Sequence, residues 1–219
     1  FRGQRAEDAA IVREGDALCG ALAERGEARV HLFGGERGEV HVARGALIDA
    51  ESELSVPVGE IPLRGAHNLD NACAAALLAR LAGVGATEVG AALRGFRGLP
   101  HRMVHVRDLE GVEYFDDSKA TNVGATVAAL DGLLGREGKV VLVAGGRDKG
   151  GDYAPVAERM TRVGRGAVLI GEAAAKMRLA LGACRIALEA ADSMDEAVAR
   201  ARALARPGDV VLLAPACSS

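Results

Sequence analysis

Tryptophan is absent from this chain, and aromatic residues make up only 3% of it. Its cores must therefore be built from Ala, Val and Leu, within a hydrophobic share of 49% and a charged share of 26% that are ordinary for a globular protein. Long hydrophobic runs are also missing: none approaches the roughly 20 apolar residues that cross a bilayer, which excludes a membrane-spanning helix. Charge of one sign is not in excess. A net charge of -3 and a pI near 6.0 leave no electrostatic footprint for nucleic acid or an anionic membrane. No cysteines stand at C-x-x-C spacing; Cys19, Cys73, Cys184 and Cys217 lie far apart and fit neither a metal nor a redox motif. Cys73 falls in an Ala/Leu-rich helical run and Cys184 beside an apolar strand, so both read as buried free thiols, as suits a reducing cytoplasm. His31 and His41 have no partners at ligand spacing and read as surface or half-buried strand side chains. No signal peptide is expected.

What is there is regular. The 219 residues suffice for one or two domains, each with a real core. The text opens at Phe1 in the middle of a pattern and stops at Ser218-Ser219 just after a strand, so both ends read as cut. Residues 1–30 hold a short helix-like piece and a Gly/Glu/Arg turn. From Val30 to Leu63 short alternating runs split by Gly34-Gly35, Pro57 and Pro62 predict antiparallel strands and loops. Asn68 to Ala82 predicts a helix closed by Gly83, and Thr87 to Leu93 a second with Thr87 as N-cap. Arg94 to Pro100 combines glycines, a proline and basic residues and marks a boundary, giving domains 1–98 and 99–219.

Beyond the boundary, Glu110-Gly111 between Met103–Val106 and Val112–Phe115 is a hairpin signal. Then helices at 122–134, 154–163, 172–181 and 194–205 alternate with strands at 140–144, 167–170, 185–188 and 209–213. Ser193 with Glu196 forms a capping box, and Pro207-Gly208 turns the chain into its last strand. Strands that are continuous apolar runs, such as Val140 to Val143, are expected where helices cover both faces. The expected fold is α/β: a doubly wound, mainly parallel, Rossmann-like sheet in 99–219, preceded by a partial α/β domain.

In such sheets ligands collect beyond the carboxyl ends of the strands. That rule selects Asp116-Asp117-Ser118-Lys119-Ala120-Thr121-Asn122, then Gly145 to Gly151, and then Pro215-Ala216-Cys217-Ser218-Ser219. Charged and hydroxyl groups at a strand-to-helix junction suit anion chemistry, because a helix N-terminus adds free N–H donors. Each cluster alone could be a solvated loop or turn; three at equivalent strand ends favour a bound anion. The glycine run fits neither G-x-G-x-x-G nor the P-loop pattern, which disfavours a nicotinamide-dependent dehydrogenase.

The clusters, with Gly65-Ala66-His67-Asn68-Leu69-Asp70-Asn71 and Gly95-Phe96-Arg97-Gly98-Leu99-Pro100-His101-Arg102, follow the order found in the Mur ligases. The chain resembles that family along almost its whole length, and the version Asp117-Ser118-Lys119-Ala120-Thr121-Asn122 resembles the branch that adds D-glutamate. The resemblance implies an ATP-dependent enzyme of peptidoglycan synthesis, cytoplasmic and monomeric at full length. Its substrates would be ATP, UDP-N-acetylmuramoyl-L-alanine and D-glutamate. These residues would be the tail of the central ATPase domain and most of the C-terminal domain. The family's P-loop, modified lysine and Mg2+ ligands would belong upstream, and an aromatic segment downstream. The 219 residues alone are therefore expected to be inactive, and a non-catalytic module binding a nucleotide or amino acid is the alternative.

The family's reaction makes an acyl phosphate from ATP, which the amine of D-glutamate attacks. The resemblance places Asn68 and Asn71 at the adenine, with simple helix capping as the other reading of Asn68. It places Arg102 and Asp117 at the ribose or phosphates, brought to the nucleotide by closure about residues 98–100. Lys119 and His101 become the candidate catalytic residues, Lys119 offsetting phosphate charge and His101 orienting the nucleotide or a water rather than acting as a base. Thr121, Lys149 and Ser219 become substrate-binding, with Lys149 for one carboxylate of D-glutamate and Ser219 (or Ser218) for the other. No metal ligand is assigned within the chain.

Overall fold

The computed structural model describes residues 1–63 and 65–218 and divides into two compact units, Phe1–Arg97 and Gly98–Ser219. The first contains β1 (Ala9–Arg13), α1 (Ala17–Ala23), β2 (Arg29–Phe33), β3 (Val40–Ala43), β4 (Ala46–Asp49), β5 (Ser55–Pro57), α2 (Ala66–Leu81) and α3 (Ala86–Gly95). Its sheet runs β1-β2-β3-β4-β5. The expectation of antiparallel strands holds only for β3–β4–β5. β1 and β2 pair in parallel from Ala9↔Arg29 to Arg13↔Phe33, and β2 meets β3 in parallel at Phe33↔Val40. The parallel pair needs a crossover, which α1 supplies after an N-cap in which Asp16 accepts the Cys19 N–H at 2.9 Å. β3 turns into β4 through Arg44 and Gly45, both at positive φ (51° and 78°), the two-residue turn whose twist matches the strands.

α2 buries Ala72, Cys73, Ala76 and Leu77, a stripe at helical spacing, against Val40, Leu47 and Val56. His31 proves buried, and its Nδ1 lies 2.9 Å from Glu39 Oε1. Arg80 of α2 joins Glu39 and, at 3.0 Å, Asp49, so the buried charges of this unit are paired. Two helix starts differ from the sequence reading. α2 begins at Ala66 behind Gly65, and α3 at Ala86 behind Gly85, so neither Asn68 nor Thr87 is the N-cap.

The second unit contains β6 (Val104–Leu109), β7 (Val112–Asp116), α4 (Val123–Asp131), β8 (Val140–Gly145), α5 (Ala154–Val163), β9 (Gly164–Ile170), α6 (Ala174–Leu181), β10 (Ala187–Ala191), α7 (Met194–Leu204) and β11 (Val210–Leu213). The sheet order is β10-β9-β8-β11-β7-β6, parallel throughout except for the edge strand β6. This is the doubly wound architecture the apolar runs implied. Val140, Leu142 and Ala144 face the core under α4, α5 and α6, whereas Val141 and Val143 face Ala197 and Ala201 of α7. Two-sided burial explains the unbroken apolar text of β8. The Glu110-Gly111 turn and the Ser193 N-cap occur as expected, with Ser193 accepting from the Glu196 N–H at 3.2 Å. The strand expected at 185–188 lies instead at Ala187–Ala191, because Arg185 takes a left-handed conformation (φ 55°) that closes the preceding turn.

At the amino ends of the strands, Asp209 is almost fully buried. Its carboxylate accepts the N–H groups of Lys139 (2.9 Å) and Arg206 (2.8 Å) and pairs with the Arg165 guanidinium. Burial pushes its pKa up, but these donors outweigh that and hold it below the usual carboxylate range. This lock ties β8, β9 and β11 together at the end opposite the loops described next.

Candidate functional site at the strand ends

The central register puts Leu213 level with both Asp116 and Val143, so β7 and β11 end side by side while β8 runs two residues further, to Gly145. Backbone bonds then stitch the three loops. Asp117 N donates to Leu213 O (2.8 Å), Gly145 N to Pro215 O (3.0 Å), Ala216 N to Ala120 O (2.9 Å) and Arg147 N to Ser218 O (2.8 Å). The approach is close enough to demand glycine. At Gly146 (φ 133°) a Cβ would sit 2.1 Å from Ser218 O. Thr126, buried in α4, places its hydroxyl 3.4 Å from Ala120 O and 3.5 Å from Ala214 O, bracing two of the loops from below. The structure therefore brings together the three clusters that the strand-end rule selected.

Over this base the side chains divide into engaged carboxylates and open cations. Asn122 caps α4 by accepting the Ala125 N–H at 2.9 Å. Lys119 and Thr121 lie between that cap and His101, whose carbonyl accepts the Lys119 N–H at 3.1 Å. His101 adopts a left-handed conformation (φ 64°), and its Nδ1 lies 2.7 Å from Asp116 Oδ2. The other Asp116 oxygen accepts the Ser118 N–H at 2.9 Å. Burial raises the Asp116 pKa, but His101 and Ser118 outweigh it and keep this carboxyl below its ordinary value. The sequence reading had given Asp116 no role; it orients His101.

Asp117 behaves in the opposite way. It is 7% exposed and accepts only the Met103 N–H, at 3.3 Å, with the Arg102 charge nearby. Burial dominates over both and, with the Asp116 charge, pushes its pKa up to about 6. Among the described residues, Lys119 and Lys149 form no ion pair, and both are exposed. Burial raises the pKa of the Cys217 thiol, with the Asp148 charge adding to the rise and the Lys149 charge opposing it. Ser219 lies outside the described residues.

Asp148 is occupied. Its Oδ1 accepts the Tyr153 hydroxyl (2.9 Å) and the Gly150 N–H (3.0 Å), and its Oδ2 lies 3.4 Å from Lys176 Nζ. Asp116, Asp117 and Asp148 thus all have partners, and none is presented for a divalent cation. His105, Asp108 and Glu113 approach one another on the β6–β7 hairpin, but Glu113 already pairs with Arg136 and His105 with Asp108. The described residues do not fit a Mg2+ site.

In the first unit, Asn68 and Asn71 lie on the opening turns of α2, Asn68 half-buried and Asn71 exposed. Between them Asp70 pairs with Arg13 at the end of β1, at 2.7 Å, and packs against Gly34 just after β2. The start of α2 thereby sits at the carboxyl ends of the parallel pair β1–β2. Nearby His67 has its pKa lowered by burial, which outweighs the attraction of Asp70.

The family described as "Mur ligase, glutamate ligase domain" matches residues 101–217, from His101 through Cys217 and so across all three loops. The chain belongs to the Mur ligase family. It is 42% identical over 224 residues to the UDP-N-acetylmuramoylalanine–D-glutamate ligase of Solibacter usitatus, covering 100% of this chain and 49% of that protein. It is 44% identical to the ligase of the same name from Marinobacter nauticus, covering 96% of this chain and 48% of the relative. The Pseudomonas aeruginosa ligase is 48% identical over 165 residues, 75% of this chain and 37% of its own. The chain spans about half the length of the first two relatives. Solved structures share the fold. FolC of E. coli, with DHPP and ADP, gives a TM-score of 0.72 at 23% identity over 97% of this chain and 51% of its own. The murein peptide ligase of Psychrobacter arcticus gives 0.71 at 18% identity over 98% and 49%. Within the Mur ligase match, sequence reasoning had named His101, Arg102, Asp117, Lys119, Thr121 and Lys149, and had missed Asp116, Thr126, Tyr153 and Lys176. The last pair carries no local signal, because its link to Asp148 is formed only by folding.

Proposed function

We propose that this chain supplies the amino-acid-adding half of an ATP-dependent ligase that joins D-glutamate to UDP-N-acetylmuramoyl-L-alanine in peptidoglycan synthesis. The observation that carries the reading is the pairing state of the strand-end loops: among the described residues Asp116, Asp117 and Asp148 are engaged while Lys119 and Lys149 form no ion pair. Such a surface attracts anions, and the reactants are a nucleotide, an acyl phosphate and a dicarboxylate. The terminal carboxylate of the UDP-sugar takes the γ-phosphoryl group of ATP, giving an acyl phosphate and ADP. The D-glutamate amine then attacks the acyl carbon, a proton leaves the nitrogen, and inorganic phosphate departs as the amide forms. In this reading Lys119 offsets charge on the phosphoryl oxygens, and Lys149 holds a carboxylate of D-glutamate with Thr121 and Ser219 alongside. Arg102 and Asp117 serve the nucleotide's ribose or phosphates, Asn68 and Asn71 its adenine, and His101, oriented by Asp116, a water or the nucleotide itself. The protein's part is positioning and charge neutralisation. ATP would bring Mg2+ bound outside the described residues, and the enzyme would act as a cytoplasmic monomer.

The test is release of phosphate with each substrate omitted in turn, run on the 219-residue chain and on the chain extended to the full length of its relatives. Release that requires ATP, UDP-N-acetylmuramoyl-L-alanine and D-glutamate together, in the extended protein, supports the proposal. A folded extended protein that binds nucleotide or amino acid without releasing phosphate would replace it with a non-catalytic binding module.

A further inference from the structure

Asp148 and Lys149 are sequence neighbours in the loop after β8, and an unrestrained aspartate beside a lysine is its nearest available counter-charge. Here the aspartate is held elsewhere. Tyr153 is 3% exposed, belongs to the core beneath α5, and sits at the start of that helix, so its ring is fixed. Its hydroxyl donates to Asp148 Oδ1 at 2.9 Å, and the Gly150 N–H donates to the same oxygen at 3.0 Å. Lys176 of α6 approaches Oδ2 at 3.4 Å while lying over the Tyr153 ring, 5.6 Å from its centroid. Both oxygens of Asp148 are thereby committed to one side of the loop. Burial first, and then the Asp148 contact, push the phenol's pKa up, so Tyr153 stays a proton donor at any working pH. Asp148 is correspondingly held below the usual carboxylate range, by the Tyr153 bond above all. Among the described residues, Lys149 forms no ion pair.

We propose that Tyr153 and Lys176 are positioning residues that hold the Asp148 carboxylate away from Lys149, leaving the Lys149 ammonium free for a carboxylate of the incoming amino acid. This rests on the D-glutamate reading of the site. Neither Tyr153 nor Lys176 touches substrate in this account. They act by keeping an internal anion from competing with the external one. Removing the phenol hydroxyl lets Asp148 swing toward Lys149, and neutralising Asp148 as well removes the competitor. The mechanism therefore requires a rescue that a merely structural tyrosine would not give.

The experiment compares the chain, Tyr153→Phe and Tyr153→Phe/Asp148→Asn for D-glutamate affinity by NMR titration, together with a crystal structure of Tyr153→Phe. The single variant is expected to bind D-glutamate about tenfold more weakly, the scale of a lost charge-assisted contact. The double variant is expected to return to within about twofold of the parent. An unchanged single variant, or a double variant no better than the single, overturns the proposal. If the parent chain binds no D-glutamate, the reading of the ligand fails on its own. The crystal structure then decides the positioning claim: Asp148 moved to within ion-pair distance of Lys149 upholds it, and Asp148 unmoved overturns it.

Discussion

Replacing Asp117 with asparagine should make the second unit more stable at neutral pH while weakening its chemistry. The carboxyl is 7% exposed, and its pKa rises from 3.8 to about 6 because burial outweighs the Met103 N–H and the Arg102 charge. At about 1.4 kcal/mol per unit, that gap means the ionised form costs the folded state about 3 kcal/mol relative to the neutral one. A pKa raised on folding contributes stability that is complete below about pH 4 and is lost as pH climbs through about 6. Asparagine has the shape of the neutral acid and keeps an oxygen for the Met103 N–H, so it should hold that stability at every pH. Urea unfolding at pH 7.5 should show Asp117→Asn more stable by about 2–3 kcal/mol, with the advantage shrinking below about 0.5 kcal/mol near pH 4. Carboxylates with lowered pKa, such as Asp116 and Asp209, impose the opposite trend, but they are common to both proteins and cancel in the difference. The chain's two tyrosines, Tyr114 and Tyr153, both lie in the second unit, so tyrosine fluorescence reports that unit alone. A variant that is less stable at pH 7.5, or an advantage that does not change with pH, would refute the reasoning. The extended enzyme carrying Asp117→Asn should use ATP less well while its KM for D-glutamate changes little.

Asp209→Ala leaves the half-buried Arg165 guanidinium and two backbone N–H groups without their buried acceptor; a loss of about 3 kcal/mol is expected in the same unfolding assay, and a loss under about 1 kcal/mol would show that solvent replaces the carboxylate. Gly146→Ala places a Cβ 2.1 Å from Ser218 O and should break the Arg147–Ser218 pairing, seen as faster hydrogen exchange at Arg147 and Gly145 with β9 and β10 unaffected. Lys149→Ala in the extended enzyme should raise the KM for D-glutamate about tenfold or more and leave that for ATP nearly unchanged, as steady-state kinetics would reveal. Native-state exchange should find the second unit better protected than the first; equal protection would contradict that expectation.

The second unit was legible because its central strands β8 and β11 are buried on both faces and two of its helices, α4 and α7, begin with side-chain caps, Asn122 and Ser193. Val140 to Val143 and Val210 to Leu213 read as continuous apolar runs since α4, α5 and α6 cover one face and α7 the other. The first unit was less so. β1 is only five residues long, and its parallel partner lies across a helix, a pairing that periodicity does not reveal. The β3–β4 turn uses Arg44-Gly45 where an Asn-Gly or Asp-Gly signal would have been plain. In the site, the loops were legible as polar clusters following strands, while the state of each side chain was not. Asp117 turns inward and is buried whereas its neighbour Asp116 faces His101, a distinction made by the backbone after β7. The Asp148–Lys176 contact joins residues far apart in sequence, which only the fold brings together.

The most direct test of the ligase account follows oxygen. UDP-N-acetylmuramoyl-L-alanine labelled with 18O in its terminal carboxylate would be turned over by the extended enzyme with ATP and D-glutamate, and the released phosphate weighed by mass spectrometry. An acyl-phosphate route predicts one labelled oxygen in each phosphate, carried out as the bridging atom when the amine displaces it. Phosphate released without label would contradict the account, since ATP would then have been hydrolysed without activating the carboxylate.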